Sequence, residues 1–222
     1  MATPEDNKMR LSLEEVHSIA TAGLQKHGAS PDQARTVADT ITHAERDDCK
    51  SHGLFRLPGY IASLKSGKVS GDAVPILSEL APAVVKVDAN NGFASLPLEM
   101  GTAALAEKAR EQGIAALAIT NSYHFAALWP ETESLAEQGL VAFAFVTAKS
   151  YVAPAGGIKP LYGTNPMAFA WPREGKPPIV FDQASSASAR GEIMIHERDG
   201  PPSPDGWGID SDGQPTNDPT AA

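Results

Sequence analysis

The feature of this 222-residue sequence that most constrains its fold is a change of hydrophobic pattern between Gly67 and Val84. Before Gly67, apolar residues recur at the spacing of one helix face, whereas from Val84 onward they form short continuous runs. The first pattern is typical of amphipathic helices, and short runs bounded by turn residues are typical of buried strands. The sequence therefore predicts an N-terminal helical cluster that is followed by a mixed α/β region.

Start signals divide the N-terminal cluster into helices. Residues 12–15 (SLEE) form a capping box for the first helix, and residues 30–33 (SPDQ) repeat the start signal for the second. The second helix is expected to run to about Cys49, and Pro58 is suited to open the third. The segment 51–56 is therefore expected to connect two helices.

The mixed region contains apolar runs suited to buried strands at residues 84–88, 114–120, 140–148, 167–171 and 179–182. Helical stretches at residues 96–112 and about 128–138 separate the first three runs, and Gly113 and Gly139 end these stretches. After Asp199 the sequence is rich in Pro, Gly and Asp and has little to bury. Because a compact domain rarely ends in such a segment, we expect the C-terminal part of the domain to be missing.

The charge balance limits the classes of partner. The chain carries 18 Lys and Arg against 27 Asp and Glu, a formal net charge of −9, and therefore has no global basic field to attract nucleic acid. An anionic substrate or cofactor must be held by locally placed cations and backbone N–H groups. The single cysteine, Cys49, excludes an intramolecular disulfide. We interpret Cys49 as a small, unreactive filler.

Neither a membrane segment nor a metal site is predicted. The first ten residues carry charges without an apolar core, and no stretch approaches the ~18 uninterrupted apolar residues of a membrane span. The sequence also lacks His-Glu-x-x-His, Cys-x-x-Cys and Asp-rich calcium-loop motifs. We therefore expect a soluble, cytoplasmic protein with no bound metal.

The tripeptide Ser51-His52-Gly53, with Arg56 close behind it, is the first candidate for chemistry. A histidine can exchange protons near neutral pH, an adjacent serine can orient it, and an arginine can hold an anion. A structural interpretation competes, in which His52 caps the preceding helix and the Arg56 stem covers apolar surface. A hydrolase with Ser51 as nucleophile is disfavoured, because sequence neighbours rarely face each other and Gly-x-Ser-x-Gly is absent.

Segment 121–128 (NSYHFAAL), between a predicted strand and a predicted helix, is the second candidate. Such turns present free N–H groups to phosphate, and the small residues Ala126 and Ala127 permit close approach. The Rossmann fingerprint Gly-x-Gly-x-x-Gly is absent, so any dinucleotide would be bound by another fold. The alternative is that His124 and Phe125 belong to a turn packed on the sheet.

Two loops in the second half are further candidates. A Gly-rich connection runs from residues 154–157 (PAGG) to 163–166 (GTNP), and such loops often line sites. At residues 182–186 (DQASS), a predicted strand delivers an acid and two hydroxyls into a loop, and Glu192 follows. The structural interpretation of this last segment is an Asx or Ser turn followed by a helix cap.

Taken in order along the chain, these segments resemble the malate/L-lactate dehydrogenase family, which is unrelated to the Rossmann-fold dehydrogenases. The matching text includes SHGLFRLPGYIASLKSG, ITNSYHF, APAGGIKPLYGTNPMAFAWP, IVFDQASSASARGE and DGWGIDSDGQPTNDP, and the resemblance covers nearly all of residues 10–219. The segment HFAALWPE is similar to Δ1-piperideine-2-carboxylate/Δ1-pyrroline-2-carboxylate reductases. Lactate, malate and ureidoglycolate enzymes of the family usually carry Gly shortly after the His-Phe pair.

The resemblance implies an α/β fold of the α+β type, non-Rossmann, with a mixed and largely antiparallel sheet. It implies that residues 1–75 are the helical part of a substrate and dimerisation domain, that residues 76–200 bind NADP, and that residues 201–222 are a tail of an incomplete domain. It further implies a homodimer that reduces cyclic imino acids to L-pipecolate or L-proline with NADPH, or with NADH in its place.

The resemblance also implies roles for individual residues. His52 would supply a proton with the assistance of Ser51 and Glu192, and Arg56 and Thr164 would hold the substrate carboxylate. The residues implied in cofactor contact are His124, Phe125, Ala126, Ala127, Leu128, Asp182, Gln183 and Ala184. Arginine suits a carboxylate because its planar fork can bind both oxygens. Glu192 departs from the family pattern, since the relatives carry Asp after the corresponding Gly.

Other functions stay open at this point. A 2-hydroxyacid dehydrogenase acting on malate, lactate or ureidoglycolate belongs to the same family, and its substrate in the reductive direction is a 2-keto acid. A truncated, catalytically inactive chain that at most binds a partner subunit or ligand is the other alternative. It is motivated by the family's cofactor-contacting Gly-Gly-His-Lys-Gly stretch, which this sequence lacks.

Overall fold

The computed structural model describes residues 9–124 and 126–221. The chain divides into two compact units, Met1–Ala126 and Ala127–Ala222. In the first unit the elements are α1 (Leu13–Lys26), α2 (Pro31–Arg46), α3 (Leu57–Lys65), β1 (Ile76–Ala81), β2 (Val84–Asp88), α4 (Ser95–Gln112) and β3 (Ala116–Thr120). In the second unit they are α5 (Trp129–Ala136), β4 (Ala142–Phe145), β5 (Met167–Arg173), β6 (Lys176–Gln183), α6 (Arg190–Asp199), β7 (Gly208–Ile209) and β8 (Pro215–Thr216).

The helical cluster begins with the predicted capping box. The Glu15 N–H donates to the Ser12 hydroxyl at 3.2 Å, and the Ser12 N–H donates to the Glu15 carboxylate at 2.7 Å. These bonds satisfy N–H groups that the first turn of a helix leaves without an intrahelical partner. Helix α2 ends at Arg46 rather than near Cys49, because Asp48 adopts a left-handed conformation (φ 56°) that an α-helix cannot continue.

The core of the first unit lies between α1, α2 and α3. It consists mainly of small and branched aliphatic side chains together with Tyr60 and Phe93, whose rings meet edge to face with centroids 5.1 Å apart. Gln33, which is only 1% exposed, joins this core as its polar member. Its amide donates to the carbonyls of Ser70 and Ala73, and its oxygen accepts the Phe93 N–H. Gln33 thus connects α2 to two loops.

The sheet of the first unit has the order β1-β2-β3. Strand β1 is antiparallel to β2, β2 is parallel to β3, and α4 makes the crossover between the parallel strands. The sheet is therefore mixed, as predicted. Strand β1 was not predicted, because this edge strand is exposed along its whole length and does not show the apolar run of a buried strand.

The second unit contains an antiparallel sheet of order β4-β5-β6 and the small pair β7-β8. Helix α5 covers the face that carries Ala142, Ala168 and Ala170, which are all buried. Phenylalanine rings line up across the strands, with Phe169 5.9 Å from Phe143 and 5.5 Å from Phe181. The α+β fold class and the predominance of antiparallel pairing are confirmed. In the part of the chain that the structure describes, no helix is long and apolar enough to cross a bilayer.

Candidate active site

The segment between α2 and α3 consists of two 3-10 turns, Lys50–His52 and Leu54–Arg56, which meet at Gly53. The first turn is closed by the His52 N–H, which donates to the Cys49 carbonyl at 3.0 Å. In the second turn the Arg56 N–H donates to the Gly53 carbonyl at 2.9 Å. This short connection therefore carries Ser51, His52 and Arg56 together, as the sequence predicts.

The side chains of Ser51 and His52 face each other, with the Ser51 hydroxyl 3.0 Å from His52 Nδ1. These two neighbours do face each other, although neighbours in sequence rarely do. Nδ1 and the serine hydroxyl both lie close to their own backbones, so a tight turn can bring them together. Ser51 is nevertheless only 1% exposed, and such burial does not suit a nucleophile that must reach a substrate.

Cys49 contributes more than the predicted filler. Its sulfur lies 3.5 Å from His52 Nδ1 and 3.8 Å from the Ser51 hydroxyl, so a thiol and a hydroxyl both face the same ring nitrogen. This contact was not predicted, and the only feature of the sequence that relates to it is the position of Cys49 three residues before His52. Without the turn geometry, that spacing has no particular meaning.

The electrostatic environment of His52 keeps its ring neutral near neutral pH. Burial, which is the largest cause, and the electrostatic effects of Arg56 and His124 together lower the pKa of His52 to about 4. Burial acts on the charged form because water no longer solvates the imidazolium. A histidine with this pKa is a weak base, so its ring stays neutral until its surroundings change.

Arg56 is held by a hydrogen bond from its Nε to the Ser51 carbonyl at 2.7 Å. Its guanidinium carbon also lies 6.0 Å from the centre of the Phe55 ring. The side chain is half-buried, so its stem covers apolar surface as the structural interpretation proposed. The fixed Nε nonetheless orients the guanidinium plane, which is what a carboxylate clamp requires.

His124 belongs to a loop that is paired with the loop after β2. The Asn91 N–H donates to the Asn121 carbonyl, the Tyr123 N–H donates to the Gly92 carbonyl, and Phe93 and Tyr123 form a β-bridge. The Ala126 N–H points to His124 Nδ1 at 3.3 Å, which favours the tautomer with its proton on Nε2. Because His124 influences the His52 pKa, the first unit brings two predicted segments together. Phe125 lies outside the described residues.

The start of α5 differs from the prediction. The Asp182 carboxylate accepts the Leu128 N–H at 2.8 Å and the Trp129 N–H at 3.0 Å. These two donors were expected to be free to bind phosphate, but Asp182 already occupies them. A helix N-terminus attracts negative charge, and here the protein supplies that charge itself. The Asp182 carboxylate would repel a phosphate at this position.

The Gly-rich loop and the loop after β6 are joined in the second unit. The Ser185 N–H donates to the Thr164 carbonyl at 2.7 Å, and the Ser185 hydroxyl donates to the Asn165 carbonyl at 2.7 Å. These bonds place Thr164 close to residues 182–185. Gln183 is exposed and Ala184 is half-buried beside them.

Glu192 lies in the first turn of α6, half-buried, with its N–H donating to the Ala189 carbonyl. Among the described residues of the second unit, no hydrogen bond joins its carboxylate to Thr164 or Asp182. Within residues 9–124 and 126–221 there is also no group of at least three His, Cys, Asp or Glu side chains that could hold a metal ion.

Comparison with known proteins agrees with this architecture. Residues 11–222 match the model of the malate/L-lactate dehydrogenase family. The chain therefore belongs to the malate/L-lactate dehydrogenase family, and the predicted resemblance is confirmed.

Among its relatives is a Δ1-pyrroline-2-carboxylate/Δ1-piperideine-2-carboxylate reductase of Pseudomonas aeruginosa, 53% identical over 96% of this chain and 64% of the relative. A Δ1-pyrroline-2-carboxylate reductase of Burkholderia multivorans is 50% identical over 100% of this chain and 65% of its own. The chain thus spans about 64% of the length of such relatives.

Solved structures show the same similarity. A Δ1-piperideine-2-carboxylate reductase from Pseudomonas syringae pvar. tomato superimposes with a TM-score of 0.91 at 47% identity, over 96% of this chain and 64% of that one. A malate dehydrogenase from Entamoeba histolytica gives a TM-score of 0.89 at 29% identity, over 96% of this chain and 59% of that one. The fold is thus shared by a protein named as an imino acid reductase and by one named as a malate dehydrogenase.

Proposed function

We propose that this protein reduces cyclic imino acids, converting Δ1-piperideine-2-carboxylate to L-pipecolate and Δ1-pyrroline-2-carboxylate to L-proline. The observation that carries the proposal is the 53% identity, over 96% of the chain, with a reductase named for both substrates. The turn that combines His52 with Arg56 supports it, because the reaction needs a proton for the ring nitrogen and a cation for the carboxylate.

The proton would pass through His52. Ser51 and Cys49 both face Nδ1, and a hydroxyl that donates to Nδ1 leaves the proton of the neutral ring on Nε2. Protonation of Nδ1 would give the imidazolium, whose Nε2 would give a proton to the substrate nitrogen and leave a neutral ring with its proton on Nδ1. A bound reduced nicotinamide supplies the hydride that completes the reduction at C2. Glu192 is proposed to assist the proton supply, on the resemblance alone.

Arg56 would couple substrate binding to this proton supply. Its positive charge is one of the causes that lower the His52 pKa. A substrate carboxylate bound to the guanidinium would offset that charge, so substrate binding would raise the pKa of His52 and favour its protonation. Thr164 is proposed as the second group that holds the carboxylate.

NADPH is the proposed cofactor, with NADH as the other option. The proposed contacts come from His124 to Leu128 and from Asp182 to Ala184. The Asp182 carboxylate already binds N–H groups at the start of α5. We therefore propose that Asp182 and the start of α5 contact uncharged parts of the cofactor rather than its phosphates. A homodimer and a cytoplasmic location are proposed with the family resemblance as their only support.

The second candidate is a 2-hydroxyacid dehydrogenase. The TM-score of 0.89 with a malate dehydrogenase favours it, but the identity of 29% is much lower than with the reductases. An inactive chain is the third candidate, and the turnover experiment below distinguishes it from the other two.

Substrate turnover tests these candidates. Oxidation of NADPH, followed by its absorbance, should be selective for Δ1-piperideine-2-carboxylate over pyruvate and oxaloacetate, and His52→Ala should abolish it. Activity confined to the keto acids would replace the reductase with a hydroxyacid dehydrogenase. Inactivity with all three, in a chain whose circular dichroism shows that it is folded, would favour the inactive alternative.

A further inference from the structure

We propose that Glu45, on α2, is a positioning residue that fixes the distance between the proton donor His52 and the carboxylate clamp Arg56; this inference rests on the proposed function. The Glu45 carboxylate accepts the Leu54 N–H at 2.7 Å. Leu54 opens the second 3-10 turn, directly after the turn that ends at His52. A side chain on a regular helix therefore holds the junction between the two functional turns.

Gly53 makes this approach possible. A Cβ atom at position 53 would collide with the carboxylate of Glu45, so the acid occupies the space that a side chain would need. The Glu45 carboxylate thus packs against Gly53, the one residue between the two turns, and accepts a hydrogen bond from the N–H of the next residue, Leu54. A charge-assisted hydrogen bond of this kind is stronger than one between neutral groups.

The bonds within the turns carry this restraint to both functional side chains. The Arg56 N–H donates to the Gly53 carbonyl, and Arg56 Nε donates to the Ser51 carbonyl. If Gly53 and Leu54 move, Arg56 moves relative to Ser51 and His52. Losing the Glu45 acceptor should therefore loosen the whole connection.

The His52 pKa gives a readout that separates positioning from simple charge. The groups that face His52 are Ser51, Cys49, Arg56 and His124. A looser turn would hydrate the ring and move Arg56 away, and both changes raise the His52 pKa. Removing the negative charge of Glu45 would by itself lower the pKa of a nearby histidine. Positioning and charge therefore predict opposite signs.

The experiment is an NMR titration of histidine ring resonances in the 222-residue chain without substrate or cofactor, with His52→Asn to assign the signal. Glu45→Ala should raise the His52 pKa by about one pH unit or more. Glu45→Gln removes the charge but keeps an acceptor for Leu54, so it should not raise the pKa. Ile41→Val, elsewhere on α2, controls for a loss of stability of about 0.5–1.5 kcal/mol.

A His52 pKa that is unchanged or lowered in folded Glu45→Ala would overturn the proposal. If Glu45→Ala does not fold, Gly53→Ala tests the same contact from the other side, because its methyl group displaces the carboxylate. It too should raise the His52 pKa, and an unchanged value would count against positioning. Since the titration uses no substrate, its outcome is independent of whether the chain proves to be a reductase.

Discussion

Replacing Gln33 with alanine should destabilise the first unit and free the loop that holds His124. The Gln33 amide makes hydrogen bonds to Ser70 O (3.2 Å), Ala73 O (3.1 Å) and Phe93 N (3.0 Å), in a site where Gln33 is 1% exposed. A buried polar group left without its partner costs about 1–3 kcal/mol. Since Phe93 is also 1% exposed, its N–H has no ready access to water.

We therefore expect Gln33→Ala to lower the free energy of unfolding by about 3–5 kcal/mol, from the unpaired groups and the cavity together. Denaturant unfolding followed by far-UV circular dichroism suits this measurement, because most helical residues lie in the first unit. The tryptophans, Trp129, Trp171 and Trp207, all lie in the second unit and report on it separately. The exposed Gln25→Ala in α1 is the matched control.

The loop connection adds a second measurement to the same prediction. Phe93 bridges to Tyr123, so amide exchange should accelerate at Phe93 and Tyr123 in Gln33→Ala. Gln33→Glu keeps an acceptor for Phe93 but turns a carboxylate toward two carbonyl groups, and it should be more destabilising at neutral than at acidic pH. A loss of stability below about 1 kcal/mol, with the Phe93 amide still protected, would refute the reasoning.

Further predictions concern the pH dependence, the α5 cap and the helix glycines. Because folding depresses the His52 pKa from 6.5 to about 4, the unfolded chain binds more protons in this window, and stability should fall as pH decreases from about 6.5 to 4, less so in His52→Asn. Asp182→Ala should cost about 1–2 kcal/mol in the second unit, seen in tryptophan fluorescence, whereas Asp182→Asn keeps one acceptor and should cost less. In thermal unfolding, Gly23→Ala should stabilise by about 0.5–1 kcal/mol since it meets Leu57 at ordinary contact distance, whereas Gly101→Ala collides with Leu117 and should destabilise by about 1–3 kcal/mol.

Local patterns were sufficient to predict much of the fold. The Ser12 capping box, the Pro31 start of α2 and the apolar runs of β2, β3 and β5 each depend on residues close together in sequence. Strand β1 was missed because an exposed edge strand has no burial to shape its sequence. The end of α2 was placed too late, since the left-handed Asp48 leaves no signal as clear as a glycine.

In the candidate site, too, the group of residues that are near neighbours in sequence could be predicted, whereas contacts with distant partners could not. Ser51, His52 and Arg56 could be predicted as a group, because a single turn carries them. Glu45 could not, since its role depends on the missing side chain of Gly53 and on the direction in which the turn leaves α2. Asp182 was singled out, but its partner, the start of α5, lies far away in sequence.

The sequence by itself determined where most of the helices and strands form, which family the chain resembles, and which histidine and arginine share a turn, because these depend on neighbouring residues and ordered motifs. Only the tertiary structure decided the protonation state of His52 and the occupant of the α5 N-terminus. Both depend on burial and on groups brought together from distant parts of the chain: His124 acts on His52 together with the nearby Arg56, and Asp182 binds the Leu128 N–H. Solvation and Coulomb interactions act through space, so their effect is fixed only when the chain has folded.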